Sequence, residues 1–303
     1  MNLIGLRTLV FNTFEQGFLF TFLAFGVLMT FRFFRFPDLT AEGSYPLGGA
    51  VAATLLVAGM NPFTATFVAV LAGVAAGVIT ALIHTKLKIN PIISGIITMT
   101  ASYSVTLRVM GRSNMPLLRI DTSFDVIRNW VISTTGEGHV LASRSLLNII
   151  VMFLLVAVVS AVYYWFLRTD IGLAVRATGQ NESMIRGLGV NIDNTKIIGV
   201  GIANGLIALS GALVAQNHGF ADVGMGIGVL VAGVGAVLIG ESIFGARSVA
   251  WQIFASVVGM LVYRFLVALA LRIGLKPTDL KLITATLVLL ALAVPKWRQQ
   301  LAR

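Results

Sequence analysis

The stretch TDIGLAVRATGQNESMIRGLGVNIDNTK, from Thr169 to Lys196, is a polar segment of about 28 residues between two long apolar runs. It is too long for a tight connection between helices, and its pattern predicts a short helix held between glycines. Asn181 is placed to cap that helix, with Glu182 in its first turn. Gly187 and Gly189 are placed to end it in a left-handed cap. The helix has one apolar face, which carries Met184, Ile185 and Leu188.

The composition is that of a protein that crosses a membrane several times. Of the 303 residues, 57% are hydrophobic and only 11% are charged, whereas a soluble domain carries about 25% charged residues. The net charge of +10 then reflects topology and anionic lipid rather than a nucleic acid. We expect a single all-α integral membrane domain over residues 1–303, with about nine transmembrane helices (range eight to ten). The expected spans are 16–34, 44–60, 62–83, 91–110, 146–168, 197–217, 225–243, 250–271 and 280–295.

A weak excess of Lys and Arg places the 169–196 loop on the cytoplasmic side and the loop 111–145 on the outer side. Within the outer loop, Thr122 and Asp125 form a capping-box pattern at the start of a predicted amphipathic helix, 122–132. Two interpretations stay open for this helix: a lid on the bilayer surface, or a docking platform for an external protein.

The sequence lacks the motifs of several enzyme classes. It has no G-x-x-x-x-G-K-[ST] phosphate loop and no G-x-S-x-G elbow. It has no cysteine, and its three histidines are scattered without metal-ligand spacing. We therefore expect no catalytic residue, no metal and no cofactor, and we do not expect an enzyme.

The segment FPDLTAEGSYPLGG, from Phe36 to Gly49, places Asp38 and Glu42 among helix-breaking residues. Membrane helices are broken where the backbone is buried in protein or lines a cavity, and transporters use such breaks to bind substrate. The alternative is a plain connection whose acidic side chains pair with Arg32 and Arg35. Both interpretations, a substrate-binding break and a plain connection, stay open. If the break binds substrate, the candidate pathway residues are Asp38, Thr40, Glu42, Ser44 and Tyr45.

Two features of the later spans also allow alternatives. Arg264 lies inside the eighth predicted span, where it could pair with Glu241 or Asp38 or extend toward the interface. The glycine-dense seventh span, Gly224 to Ser242, favours close helix packing, although a break beside a pathway is also compatible with it.

Three blocks, in order, resemble the membrane permease of bacterial ABC importers of the branched-chain amino acid and ribose type. FPDLTAEGSYPLGGAVAA resembles the family's D-L-S-x-G-S block, with Thr40 in place of a serine. VAGVGAVLIGESIFGARS resembles its late glycine-rich block, with Glu241-Ser242 where a glycine-rich pair is usual. GLAVRATGQNESMIRGLGVN resembles its cytoplasmic loop, with matches at Gly172, Arg176, Ala177, Gly179, Asn181, Gly187 and Asn191.

The resemblance implies a permease of the type II importer kind in the bacterial cytoplasmic membrane. It implies two permease copies around a central pathway, a cytoplasmic ABC ATPase dimer that binds the ATP, and a periplasmic or lipid-anchored binding protein. The DLTAEGS variant is most similar to a tryptophan/tyrosine-type branch, so the expected cargo is an amino acid, with an aromatic one as the specific candidate. The expected ATPase-coupling residues are Arg176, Asn181, Glu182, Met184, Ile185, Arg186, Gly187, Leu188 and Gly189.

A secondary transporter driven by an ion gradient is the competing hypothesis. It is motivated by the broken Phe36–Gly49 segment and by Arg264, and Asp38 and Glu42 are the acidic residues on which it depends.

Overall fold

The computed structural model describes residues 3–135, 144–276 and 279–289, and these residues are mostly helical. The order of elements is α1 (Leu3–Val27), continued by a π-helix (Leu28–Phe33), then α2 (Ala41–Val57), α3 (Pro62–Leu87), α4 (Pro91–Met110), β1 (Asn114–Pro116), α5 (Ser123–Thr135), α6 (Arg144–Arg168), α7 (Asp170–Gln180), α8 (Glu182–Gly187), α9 (Ile192–His218), β2 (Phe220–Asp222), a 3₁₀ turn (Val223–Gly226), α10 (Val229–Phe244), α11 (Val249–Arg272) and α12 (Leu280–Leu289).

Within the described residues, seven helical segments are long and apolar enough to cross a membrane. They coincide with seven of the nine predicted spans. The other two predicted spans fall on shorter helices, because α2 has 17 residues and α12 covers only Leu280–Leu289. Residues 290–295 of the last predicted span lie outside the described part of the chain. The polytopic helical fold is confirmed, whereas the count of nine is not.

Helix α9 is the centre of the domain and packs against α1, α2 and α3. Glycine allows α3 to approach α9 closely: a Cβ atom at Gly77 of α3 would collide with the backbone oxygen of Val200 on α9. Small residues bring membrane helices into backbone contact in this way. The pair is also joined near its two ends, where Lys196 Nζ lies 3.1 Å from His84 Nε2 and Gln216 Nε2 donates to Thr66 Oγ1 at 2.8 Å.

Two helices begin inside the domain rather than at a membrane face. With 17 residues, α2 is about 25 Å long at 1.5 Å per residue, too short to cross the hydrocarbon layer of about 30 Å. Helix α10 follows the 3₁₀ turn and begins after Gly228, whose φ of +82° is left-handed. The two starts meet, because Glu42 of α2 accepts a hydrogen bond from the Gly228 N–H at 3.1 Å.

The glycine-dense region therefore shows both predicted behaviours. The helix is broken around Gly226 and Gly228. At the break the backbone lies close to α2, and a Cβ atom at Gly226 would collide with the carbonyl oxygen of Glu42. Further along, Gly240 packs against the backbone of Ala255 on α11, where a Cβ atom would also collide. Along the chain, the helix break at Gly226 and Gly228 precedes the close packing at Gly240.

The face of the domain opposite α7 and α8 carries a two-stranded antiparallel sheet and α5; we call it the α5 face. Asn114 pairs with Asp222 in the sheet. At the start of α5, the Thr122 hydroxyl donates to Asp125 Oδ2 at 2.7 Å, which confirms the predicted cap. Ser123 donates twice to Gln216 Oε1 of α9, from its N–H at 3.0 Å and from its hydroxyl at 2.8 Å. The 111–145 loop is thus partly an ordered layer over the helices, and its residues 136–143 lie outside the description.

Candidate functional site

The opposite face, which we call the α8 face, carries the polar 169–196 segment. Asn181 is the N-cap of α8, and its Oδ1 accepts from the Met184 N–H at 3.0 Å. Glu182 lies in the first turn, and Gly189 has a left-handed φ of +82° just after the helix. The cap, the acidic first turn and one of the two predicted left-handed glycines are therefore present. Gly187 is the last residue of the helix instead.

The predicted apolar face of α8 is divided between the surface and the interior. The side chains of Met184 and Leu188 are 59% and 68% exposed. Ile185 is only 5% exposed, so of the three residues on the predicted apolar face only Met184 and Leu188 are open to a partner. Met184 and Ile185 are consecutive, and the rotation of about 100° per residue in a helix turns the second side chain toward the domain. Arg186, Gly187 and Gly189 are exposed beside Met184 and Leu188.

The segment contains a second helix that the sequence reasoning missed. Residues Asp170–Gln180 form α7, capped by Thr169, whose Oγ1 accepts from the Gly172 N–H at 3.2 Å. Val175 is fully buried, and a Cβ atom at Gly179 would collide with the carbonyl oxygen of Phe33. The signal for this helix was present, because a Thr–Asp pair precedes a helical spacing of small and apolar residues. The half-buried Arg176 lies on α7.

A polar chain connects α8 to the end of α3. Glu182 Oε1 accepts an ion-pair contact from Lys196 Nζ at 2.7 Å. The same ammonium lies 3.1 Å from His84 Nε2, and His84 Nδ1 lies 2.7 Å from the carbonyl oxygen of Ile89. A carbonyl oxygen only accepts, so Nδ1 carries the proton and Nε2 accepts from Lys196. The edge of the His84 ring then meets Phe36, with the ring centroids 5.2 Å apart.

The broken segment before α2 lies deep in the domain and is held by Asn204 of α9. Asn204 Nδ2 donates to Asp38 Oδ2 at 2.7 Å, and Asn204 Oδ1 accepts from the Ser44 hydroxyl at 2.7 Å. Asp38 Oδ1 also accepts from the Thr40 N–H at 2.9 Å. The Thr40 hydroxyl in turn lies 2.7 Å from the Thr80 hydroxyl of α3. All five side chains are buried, which explains the break: it aligns polar groups that satisfy each other.

The alternative in which Asp38 and Glu42 pair with Arg32 and Arg35 is not what the structure contains. Arg32 Nε instead lies 2.8 Å from Glu241 Oε1 on α10. Asp38 is held by the Asn204 amide, and Glu42 accepts from the Gly228 N–H.

The five candidate pathway residues divide into two groups. Asp38, Thr40, Ser44 and Tyr45 are buried among the helices. Glu42 is half-buried and lines a cavity of ≈ 260 Å³ between α2, α4 and the 3₁₀ turn, together with Tyr103. Glu42 is therefore the one pathway candidate that borders open space in this conformation.

Arg264 pairs with neither carboxylate that the sequence suggested. Its guanidinium carbon lies 3.3 Å from the centroid of the Phe20 ring on α1. Its Nε is buried and has no hydrogen-bond partner in the described part of the chain. The expectation of an ion pair with Glu241 or Asp38 is wrong, because Glu241 is engaged by Arg32 and Asp38 by Asn204.

Within the described ranges, seven helices are long and apolar enough to cross a membrane and one helix is broken around buried polar residues, which is typical of a membrane transport protein. A family model described as "Branched-chain amino acid transport system / permease component" matches residues 9–293. The chain therefore belongs to this family of transport permeases, and it is a multi-pass protein of the bacterial cytoplasmic membrane.

Several curated proteins are similar along most of their length. A tyrosine transport system permease protein of Clostridioides difficile (strain R20291) is 38% identical over 286 residues, which cover 94% of this chain and 90% of the relative. An uncharacterized protein of Rickettsia prowazekii (strain Madrid E) is 33% identical, covering 93% and 96%. A ribose import permease protein of Escherichia coli (strain K12) is 25% identical, covering 86% and 78%. No solved structure gives a significant match.

Proposed function

We propose that this chain is the permease subunit of an ATP-driven importer. A cytoplasmic ABC ATPase dimer, a second permease copy and an external binding protein would complete the transporter, and the ATPase alone would bind ATP. The cargo is a small solute. An aromatic amino acid is the specific candidate, because the Clostridioides difficile relative carries the name of a tyrosine transport system permease protein.

The observation that carries the proposal is the exposed apolar pair on α8. Met184 and Leu188 are largely exposed on a six-residue helix that projects from the domain. An amphipathic helix with such residues fits an apolar groove of a partner protein. Glu182 and Arg186 flank the pair with opposite charges and can orient it in that groove.

The contacts behind α8 support its role as a mechanical connection. Ile185 anchors the helix from the inside, and Lys196 links Glu182 to His84 at the end of α3. Next to His84 lies Phe36, two residues before the buried Asp38. A force on α8 therefore reaches the broken segment through packed side chains, which is what switching between outward and inward states requires.

The decisive experiment changes the exposed pair and leaves the interior intact. Met184→Asp combined with Leu188→Asp should abolish co-purification of the partner ATPase and ATP-dependent uptake, because it places two charges in an apolar contact. The melting temperature of the permease should stay within a few degrees of wild type, since both side chains are exposed. Leu118→Asp is the control for co-purification of the ATPase, because Leu118 is also highly exposed but lies on the α5 face.

Undiminished ATPase binding and uptake by the double variant would contradict the proposal. The ion-coupled alternative predicts that the reconstituted chain transports its solute without any ATPase. Uptake by the chain alone into liposomes, driven by a proton or sodium gradient and lost in Glu42→Gln, would support a secondary transporter in place of an ATP-driven one.

A further inference from the structure

A cavity of ≈ 670 Å³ lies beside the start of α10 and is separate from the Asp38 network. Its size falls within the usual range for small-molecule sites, about 300–1,000 Å³. Most of its wall is apolar, and Phe20, Ile227 and Val229 are part of it. The wall residues in the described ranges include two cations, Arg264 and Lys281, and no carboxylate.

The Arg264 guanidinium is the unusual group in this wall. Its partner in the described part of the chain is the face of Phe20, and its buried Nε donates to no acceptor there. A charged side chain inside a membrane domain is costly unless it pairs or faces a hydrated cavity. A guanidinium carries five donors that match a carboxylate in fork geometry. Arg264 is therefore a cation in the cavity wall that has no carboxylate partner in the described part of the chain.

The depth of Arg264 favours a solute over a lipid headgroup. Helix α11 runs from Val249 near the α8 face to Arg272 near the α5 face. At 1.5 Å per residue, Arg264 lies about 22 Å from its first end and about 12 Å from its second. Anionic headgroups sit in the interfacial layer, outside the hydrocarbon core of about 30 Å. This depth favours a carboxylate carried by a molecule that enters the cavity.

The other positive element of the cavity is already neutralised. The start of α10 has free N–H groups that favour an anion, but Glu42 occupies this position by accepting from the Gly228 N–H at 3.1 Å. Glu42 also interacts with the charge of Lys281, so its one negative charge is set against two cations, Arg264 and Lys281, and one unit of positive charge is left over. A ligand with a single carboxylate balances it.

We propose that this cavity binds a solute through its carboxylate at Arg264, with an apolar or aromatic side chain against the wall formed by Ile227 and Val229. This rests on the proposed function in treating the solute as cargo, and it names the cargo as an α-amino acid with an apolar or aromatic side chain. Arg264 and Lys281 hold the carboxylate, and the cavity wall holds the rest of the molecule.

The absence of cysteine from the chain allows a direct test. Val231 lines the cavity and is partly exposed, so Val231→Cys in the full-length chain introduces a single thiol at the wall. The rate of maleimide labelling is measured in phosphatidylcholine nanodiscs with L-tyrosine, with L-leucine, and with tyramine, which is tyrosine without its carboxylate. Protection by both amino acids and not by tyramine is expected.

Charge variants in the Val231→Cys background then identify the partner of the carboxylate. Arg264→Gln should raise the half-protecting concentration of L-tyrosine about 10- to 100-fold, the range for losing a charge-assisted hydrogen bond. Arg264→Lys keeps the charge and should retain part of the protection. Arg108→Gln, an exposed arginine of α4 away from the cavity, is the matched control and should change nothing. Size-exclusion profiles and melting temperatures show that each variant is folded.

Equal protection by tyramine, protection that survives Arg264→Gln, or no protection by either amino acid would overturn the proposal. Slower labelling in phosphatidylglycerol nanodiscs without any effect of solute would assign the site to a lipid headgroup and would overturn it as well. The measurement uses no ATPase and no binding protein. A failure of the cavity proposal is therefore distinguishable from a failure of the ATP-driven importer, which is tested by co-purification and uptake.

Discussion

The segment from Asp38 to Ser44 and the segment from Thr169 to Lys196 both interrupt apolar helices with polar residues, yet they lie in opposite surroundings. In the first, the polar side chains are buried and hydrogen-bonded to one another and to α3 and α9. In the second, most of the polar side chains are exposed, and so are four apolar ones, Ile171, Leu173, Met184 and Leu188. The difference separates a polar segment whose groups satisfy each other inside the domain from one whose apolar side chains stay exposed, as the proposed ATPase contact requires.

The largest effect should come from Asn204→Leu, which removes the group that joins Asp38 to Ser44. The Asp38 carboxylate and the Ser44 hydroxyl would both stay buried without their hydrogen bond to Asn204. A carboxylate costs more than a hydroxyl in this situation, because it carries a charge. We expect a loss of stability of about 3 kcal/mol or more, seen as a lower melting temperature in detergent.

The exposed Asn194 at the start of α9 supplies the control. Asn194→Leu should leave the melting temperature nearly unchanged. If Asn204→Leu were equally mild, the contrast between a structural and an unfilled polar segment would be lost.

A smaller effect is expected at the contact between Thr40 and Thr80. Each single Thr→Val change leaves the other hydroxyl without its partner across the helices and should cost about 1 kcal/mol. The double variant removes both hydroxyls and should cost less than the sum, because no partner is left unpaired. A double-mutant cycle on thermal or denaturant unfolding measures the coupling, and strictly additive values would mean that the two hydroxyls act independently.

The smallest effect on stability, with a clear effect on motion, is expected for Lys196→Met. The ion pair with Glu182 is half-exposed on the Glu182 side, so its loss should lower the free energy of unfolding by no more than about 1 kcal/mol. The amides of α8 should nevertheless exchange hydrogen faster, and ATP-dependent uptake should fall several-fold with ATPase binding retained. Lys196→Arg should preserve most of both. Unchanged exchange in Lys196→Met would show that Ile185 alone holds α8.

Local features of the chain were predictable because their causes are local. Asn181 caps α8, and Thr122 with Asp125 begins α5, as the sequence indicated. The positions of seven spans followed from runs of apolar residues. The orientation of Ile185 did not follow, since a helical pattern gives a face but not the direction in which the whole helix is rolled.

Long-range partners were beyond the sequence reasoning. Asn204 lies 166 positions from Asp38. It is a single amide in the middle of an apolar span, and the sequence alone does not indicate its partner. The partner of His84 was also not predictable, because Lys196 comes from α9, 112 positions further along the chain. Arg264 was recognised as unusual, but its position over Phe20 depends on how α11 packs against α1.

The glycine contact between α3 and α9 has a mechanical consequence. The backbones touch at Gly77, and one side-chain hydrogen bond joins the helices near each end. Sliding of one helix past the other would break these contacts, so we expect the pair to move as one rod. A helix of 27 residues is about 40 Å long, so this rod reaches from one membrane face to the other. A small tilt imposed at its α8 end is therefore carried to Gln216 and, through Ser123, to the layer that covers the α5 face. The rod would let events on one side of the membrane be felt on the other.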